Sequence, residues 1–131
     1  MNILIVEDSF VSRTVLQHML EHYGDIHVAV NGREAVEAVK VALDAERPYD
    51  LLCLDIMMPE MDGQQALEEI RKVEESHGTV GLDCCKILMT TALSDAKNIM
   101  KAFRNQADGY LTKPYEAEKV KEELVKLELM K

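Results

Sequence analysis

Acidic side chains follow two of the most apolar runs in this chain. Glu7 and Asp8 come directly after the run ILIV, and Asp55 comes directly after LLCL. Short, continuous apolar runs of this kind are typical of strands buried in a parallel sheet. An ionised carboxylate beside so much apolar surface is costly unless a cation or hydrogen-bond donors compensate it. We therefore expect these acids to have a partner or a chemical task.

The partner that best suits these acids is a divalent cation. The carboxyl ends of parallel strands meet at one edge of a sheet, so Glu7, Asp8 and Asp55 should lie close together there. Three neighbouring carboxylates repel one another unless a hard cation sits among them. Calcium prefers more protein oxygens, and zinc prefers His or Cys, which this edge lacks. The pattern therefore predicts Mg²⁺, which takes oxygen ligands and keeps several waters.

A pair of hydroxyls and a lysine follow two further apolar runs. Thr90 and Thr91 come after ILM, and Lys113 follows GYLT. A metal ion, an ammonium and a small hydroxyl are the groups that hold the oxygens of a transferred phosphoryl group. Asp55 follows the central, most buried run and is best placed to attack a phosphoryl donor, which gives an acyl phosphate. These residues predict phosphoryl transfer to an aspartate.

Five predicted strand and helix units position these residues. The strands are predicted at residues 3–6, 26–30, 51–54, 87–89 and 109–112. Helical periodicity follows each strand, with Asp8 or Ser9 and later Asp62 as candidate helix caps. This alternation predicts an α/β fold, a doubly wound five-stranded parallel sheet in a three-layer α/β/α sandwich with right-handed crossovers. Residues 74–85 lack a clear period and are predicted to be a loop or an extended helix end.

The composition indicates one folded domain. The chain has 131 residues, of which 47% are hydrophobic and 30% charged, so residues 1–131 are expected to form a single domain. The formal net charge of −9 argues against direct nucleic acid binding. The N-terminus has neither a signal peptide pattern nor a membrane span, so we expect a cytoplasmic protein without membrane insertion. Three cysteines without C-x-x-C spacing predict neither a disulfide framework nor a zinc site.

Together these motifs resemble the receiver domain of bacterial two-component response regulators, in particular the stand-alone receivers of the chemotaxis type. The resemblance covers essentially the whole chain. It rests on four elements at successive strand ends: Glu7-Asp8, Asp55 within LDIMMPEMDG, Thr91-Ala92 and Lys113-Pro114. It implies a flavodoxin-like strand order 2-1-3-4-5 and a phosphorelay switch that is not an enzyme, beyond catalysing its own phosphorylation and dephosphorylation.

The resemblance implies a role for each residue that handles the phosphoryl group. Asp55 would be the phosphoacceptor and Lys113 would pair with the phosphoryl group. Thr91, favoured over Thr90 by the family pattern, would bond a phosphoryl oxygen. Tyr110 matches the aromatic switch position, whose ring moves inward when Thr91 is drawn towards the phosphate.

The resemblance also implies a ligand set for the metal ion. Glu7, Asp8, Asp55 and the backbone carbonyl of Met57 would hold Mg²⁺, Asp8 directly and Glu7 partly through water. The side chains two residues after Asp55 and two after Thr91 are apolar, Met57 and Leu93. In this family those positions influence how easily water reaches the acyl phosphate, so we expect a long-lived phosphoryl state. Pro59 and Gly63 would shape the loop around Asp55.

Partners follow from the same resemblance. A sensor histidine kinase or a phosphotransfer protein would donate the phosphoryl group. A downstream protein would bind the face made by the predicted fourth helix, near residues 95–105, the fifth strand and the last helix. The candidate contact residues on that face are Lys97, Lys101, Arg104, Tyr110 and Glu118. The chain would be a monomer or a phosphorylation-dependent dimer.

Three other interpretations remain open at this point. A phosphate-independent receiver would keep the fold and act only as a binding module. An aspartyl-phosphate phosphatase of the haloacid dehalogenase type would need a second aspartate two residues after Asp55, where Met57 stands. A flavodoxin-like cofactor binder would need a phosphate loop after the first strand, where Glu7 and Asp8 would repel a phosphate.

Overall fold

Strands and helices alternate along the chain, as the apolar pattern predicts. The structure, a computed structural model, describes residues 1–58, 61–92, 101 and 107–130. Within these ranges the strands are β1 Asn2–Val6, β2 Asp25–Ala29, β3 Leu51–Asp55, β4 Lys86–Ala92 and β5 Gly109–Lys113. The helices there are α1 Phe10–Leu20, α2 Gly32–Asp44, α3 Gly63–Ser76 and a C-terminal helix, Ala117–Lys126. The fourth helix predicted near residues 95–105 lies almost entirely outside the described residues.

The strands form one parallel sheet with the order β2-β1-β3-β4-β5, which confirms the predicted topology. β3 is buried at every position and lies at the centre, between β1 and β4. Its last residue, Asp55, is aligned with Thr90 of β4. Because the strands are parallel, all their carboxyl ends meet at one edge of the sheet. We call this edge the carboxyl edge.

Two apolar clusters, one on each face of the sheet, hold the sandwich together. In β1, Leu4 and Val6 pack against α2 and α3, whereas Ile3 and Ile5 pack against α1 and the C-terminal helix. This alternation follows from the two-residue period of a strand. Each such side chain, fully buried, stabilises the fold by roughly 1.5–3 kcal/mol. None of the helices in the described ranges is long and apolar enough to cross a membrane.

Side-chain caps determine where the helices begin. Ser9 Oγ accepts a hydrogen bond from the Ser12 N–H at 3.4 Å, and Asp62 forms a capping box with Gln65. Asn31 caps α2, so the helix begins directly at Gly32. β2 starts and ends one residue earlier than predicted, because the β1–β2 ladder already begins at residue 25 and ends at residue 29. The caps leave only short connections between each strand end and the next helix, such as residues 7–9 after β1 and residues 30–31 after β2.

A partly buried ionic network closes residues 74–85, and the sequence pattern did not predict it. Arg71 donates to Glu74 at 2.7 Å, to the Cys85 carbonyl at 2.9 Å and to Asp108 at 3.0 Å. Glu74 in turn accepts from the Cys85 N–H at 2.8 Å, and Asp108 accepts from the Ile87 N–H at 2.8 Å. The network therefore ties α3 to the starts of β4 and β5, at the end of these strands opposite the carboxyl edge. Between its anchors lie a loop and one 3₁₀ turn, Gly81–Asp83.

Candidate functional site

Three carboxylates converge where β1 and β3 end. Glu7, Asp8 and Asp55 each offer one oxygen, and these oxygens all lie within 4.8 Å of one another. Glu7 is only 1% exposed and Asp55 3%, whereas Asp8 is exposed to solvent. The cluster is therefore open to solvent on the side of Asp8 and enclosed by protein on the side of Glu7.

Lys113, the last residue of β5, reaches into this cluster. Its Nζ lies 2.8 Å from Glu7 Oε1 and 3.3 Å from Asp55 Oδ2. Burial lowers the pKa of the lysine, but hydrogen bonding to Glu7 and the two negative charges outweigh burial and raise the pKa above its ordinary value. The ammonium therefore stays charged and bridges the two buried acids.

The environment of Asp55 disfavours its negative charge. Burial, followed by the hydrogen bond and the charge of Glu7, raises the pKa of Asp55 to about 7 from its ordinary 3.8. Lys113 and the Met57 N–H, which donates to Asp55 Oδ1 at 3.2 Å, act in the opposite direction. The single ammonium of Lys113 therefore does not neutralise the carboxylates of both Glu7 and Asp55. A further cation at this position would favour the ionised form of Asp55.

The donor set of this cluster fits Mg²⁺. It consists of carboxylate oxygens without His or Cys, which matches the preference of a hard cation for oxygen ligands. The excess negative charge at Asp55 is the feature that a divalent cation would neutralise. Magnesium would supply charge neutralisation and open coordination positions at the end of β3.

Thr91 and Tyr110, the residues predicted to act as a switch, lie on β4 and β5. Thr91 is buried, and its Oγ1 donates to the Ala92 carbonyl at 3.2 Å. Thr90 is equally buried and lies beside Asp55 in the β3–β4 ladder. Tyr110 is 40% exposed, so its ring is only half-buried in the structure.

Gly63 shapes the loop after Asp55, because a side chain would not fit there. A Cβ on Gly63 would collide with the Asp55 carbonyl oxygen and would lie 2.8 Å from the Ile56 Cα. The Gly63 N–H also donates to the Ile56 carbonyl at 3.0 Å, which folds the start of α3 back onto the end of β3. Pro59, the other residue predicted to shape this loop, lies outside the described residues.

The sequence pattern missed Arg13 as part of this region. Its Nη1 donates to the Glu7 carbonyl at 2.9 Å, and its guanidinium lies 5.6 Å from the centre of the Phe10 ring. This contact fixes the turn between β1 and α1, from which Glu7 and Asp8 project. No motif or spacing marks this arginine, since the contact uses only a backbone carbonyl.

The predicted partner face is described only in part. Lys101 and Glu118 are exposed, and Tyr110 is half-exposed between them in the chain. Lys97 and Arg104 lie outside the described residues, as does Leu93, the second apolar residue predicted to slow hydrolysis. Met57, the first of these, is 64% exposed beside Asp55.

The fold and the site together define a class of protein: a doubly wound parallel sheet that carries a lysine-bridged carboxylate cluster at its carboxyl edge. Residues 3–125 match the response regulator receiver domain, and the chain belongs to that family. It is a receiver domain of the CheY type that acts in phosphorelay signalling. This confirms the resemblance to the receiver domains of response regulators.

Individual relatives are similar over nearly their full length. The chemotaxis protein CheY of Listeria monocytogenes is 32% identical over 126 residues, 96% of this chain and 97% of that protein. Borrelia burgdorferi CheY, in a CheX-CheY-BeF₃-Mg²⁺ complex, superposes with a TM-score of 0.80 at 26% identity, covering 96% of this chain and 87% of that one. The Saccharomyces cerevisiae Ssk1 receiver domain, crystallised with the histidine phosphotransfer protein Ypd1, superposes with a TM-score of 0.81 at 26% identity. The match covers 97% of this chain and 88% of that one.

Proposed function

We propose that Asp55 is the phosphoacceptor of this receiver domain and that its phosphorylation requires Mg²⁺. The observation that carries this proposal is the sharing of one ammonium, that of Lys113, between the buried carboxylates of Glu7 and Asp55. The Asp55 carboxylate oxygen attacks the phosphorus of a phosphohistidine, the P–N bond breaks, and the imidazole leaves as the O–P bond forms. Glu7, Asp8, Asp55 and the Met57 carbonyl would hold Mg²⁺, which would supply charge neutralisation when bound.

The neighbouring side chains bind the transferred group and report its arrival. The Lys113 ammonium neutralises one phosphoryl oxygen, and the Thr91 hydroxyl donates a hydrogen bond to another. Movement of Thr91 towards the phosphoryl group frees space that Tyr110 fills, which turns its ring inward. The half-exposed ring of Tyr110 supports this role, because it has an outer position to leave.

The partners and setting that we propose follow from the family. The donor is a sensor histidine kinase or a phosphotransfer protein, and a downstream protein binds the face that includes Lys101, Tyr110 and Glu118. The complexes of Ssk1 with Ypd1 and of CheY with CheX support both kinds of contact in similar proteins. We further propose that residues 1–131 form one cytoplasmic domain, a monomer or phosphorylation-dependent dimer, that acts as a switch and not as a metabolic enzyme.

The phosphoryl group on Asp55 is expected to be long-lived. Met57 is 64% exposed at the mouth of the site, and its thioether cannot orient an attacking water as a carboxylate or amide would. The lifetime is measured by intact mass after removal of the phosphodonor. Decay within seconds at neutral pH would contradict this expectation.

Incubation with acetyl phosphate, with and without Mg²⁺, followed by intact-mass measurement tests the proposed function. Wild type should gain one phosphoryl group only with the metal, Asp55→Asn should gain none, and the exposed Asp44→Asn should behave as wild type. No gain in wild type under any condition would instead favour a phosphate-independent binding module.

A further inference from the structure

Two buried polar side-chain atoms, one of them in the carboxylate cluster, lack a hydrogen-bond partner. They are Glu7 Oε2 and the hydroxyl of Tyr115, and no other buried side-chain nitrogen or oxygen in the described part of the chain shares this state. The first atom is an acceptor and the second is a donor. Leaving either one unpaired costs free energy, so a complementary pair in the same region calls for an explanation.

Strand alternation places both atoms on the same face of the sheet. Tyr115 packs against the apolar cluster under α1 and the C-terminal helix, to which Ile3 and Ile5 of β1 belong. The β1–β2 ladder continues to Glu7, whose N–H donates to the Ala29 carbonyl at 3.1 Å. Glu7 stands two residues after Ile5, and its side chain therefore points towards the same face.

The electrostatics of Tyr115 agree with this placement. Burial raises the pKa of the phenol above its ordinary value, and the charges of Glu7 and Asp55 raise it further. Thr90 lies close enough to lower the pKa, yet the hydroxyl makes no hydrogen bond of normal geometry to Thr90 or to any other described residue. The hydroxyl of Tyr115 is thus affected by the charges of the carboxylate cluster and lacks an acceptor among the described residues.

Two hydrogen-bond donors, Lys113 and Tyr115, stand at the end of β5 and directly after it. Lys113 Nζ lies 2.8 Å from Glu7 Oε1, and Tyr115 follows two residues later in the chain. Glu7 Oε2 is the oxygen that remains without a donor. Among the four tyrosines of the chain, Tyr115 is the one whose buried hydroxyl is unpaired, since the hydroxyl of the buried Tyr49 lies 2.7 Å from His27 Nδ1.

We propose that Tyr115 is a positioning residue of the metal site, whose hydroxyl donates a hydrogen bond to one buried water that in turn donates to Glu7 Oε2. Glu7 is then held at both oxygens, by Lys113 and, through the water, by Tyr115, and keeps its orientation towards Asp8 and Asp55. Partners that orient metal ligands in this way contribute to metal affinity. The inference rests on the proposed function, because it assigns Tyr115 to the same Mg²⁺ site.

Mg²⁺ titration of wild type, Tyr115→Phe and Tyr49→Phe, followed by NMR, tests this role. Tyr115→Phe should raise the Mg²⁺ dissociation constant by about tenfold, because the substitution removes only the orienting hydroxyl. Tyr49→Phe is the matched control, since it removes a buried hydroxyl that faces the opposite cluster, and should leave the constant unchanged. Equal constants in wild type and Tyr115→Phe would overturn the proposal.

A second measurement looks at the hydrogen bond itself. In metal-free protein, a buried hydroxyl that donates to a water held by a carboxylate should give a slowly exchanging downfield proton resonance. This resonance should disappear in Tyr115→Phe and shift in Glu7→Gln, but stay in place in Asp44→Asn. If the tyrosine hydroxyl resonance does not shift in Glu7→Gln, or if no such resonance is observed, Tyr115 is only part of the core.

The two proposals fail in different ways. If wild type neither binds Mg²⁺ nor gains a phosphoryl group, the proposed function and the role of Tyr115 are both overturned. If wild type does both and Tyr115→Phe matches it, only the role of Tyr115 is overturned.

Discussion

At the level of single residues, the properties of the site follow from a shortage of positive charge around Asp55. Its carboxyl is buried, and it shares the ammonium of Lys113 with Glu7. Burial, followed by the hydrogen bond and the charge of Glu7, raises the pKa of Asp55 to about 7, so below about pH 7 the metal-free protein holds a proton where a cation would otherwise act. Proton and metal ion therefore compete for the same carboxyl.

The raised pKa predicts how the stability of the metal-free protein changes with pH. An acid whose pKa is higher in the folded state binds its proton more tightly there, so stability is lost as pH rises from about 4 towards 7. Asp55→Asn lacks this titration and should become more stable than wild type by roughly 1–3 kcal/mol at pH 8. Urea unfolding in EDTA between pH 4.5 and 8 measures the difference. If the difference in unfolding free energy between Asp55→Asn and wild type does not grow with pH, the raised pKa of Asp55 is contradicted.

Gly63 allows a second prediction at this scale. Gly63→Ala should slow phosphorylation and destabilise the fold by about 1–3 kcal/mol, because its Cβ would push the Asp55 carbonyl away. The matched control is Gly109→Ala, whose Cβ would meet Leu88 Cδ2 at 3.0 Å at the start of β5. The control should lose stability but keep the wild-type rate of labelling by acetyl phosphate. Equal rates in Gly63→Ala and wild type would contradict the role of this glycine.

At the level of elements, the sequence predicted what depends on periodicity and missed what depends on unusual burial. The apolar runs predicted all five strands, and the strand ends predicted which acids meet. Glu74 was missed because a glutamate in a polar helix end is normally solvated, yet here it is 2% exposed. Tyr115 was missed because an aromatic residue near a core is expected there. Nothing in the sequence indicates that its buried hydroxyl lacks a partner.

The ionic network at Arg71, with its buried Glu74, gives the prediction for this scale. Arg71→Met should destabilise the fold by about 3–5 kcal/mol, because it leaves the charge of Glu74 buried without its partner. The double variant Arg71→Met, Glu74→Gln should recover part of that loss. Lys72→Met, which removes an exposed lysine paired with Glu69, should cost less than about 0.5 kcal/mol. Urea unfolding compares the three, and a loss in Arg71→Met no larger than in Lys72→Met would refute the network.

At the level of the whole molecule, the carboxylate cluster and the Arg71 network lie at opposite ends of the sheet. The carboxylate cluster lies at the carboxyl edge, whereas the Arg71 network joins α3 to the opposite ends of β4 and β5. Arg71→Met should therefore retain metal-dependent labelling as long as it stays folded. The net charge of −9 adds a long-range field that favours cations at the site and opposes polyanions.

The loop that the Arg71 network closes has a practical consequence for building reporters. Glu74 holds the base of the loop through the N–H groups of Thr79 and Cys85, and a Cβ at Gly78 would meet no atom within 4 Å. Lengthening a surface loop costs little, about 0.6 kcal/mol for each doubling. A tag peptide inserted after Val80, which is 63% exposed, should leave the melting temperature and the labelling rate near wild type. A fluorophore or an affinity tag could therefore be attached at this position without contacting the surfaces that we propose for signalling.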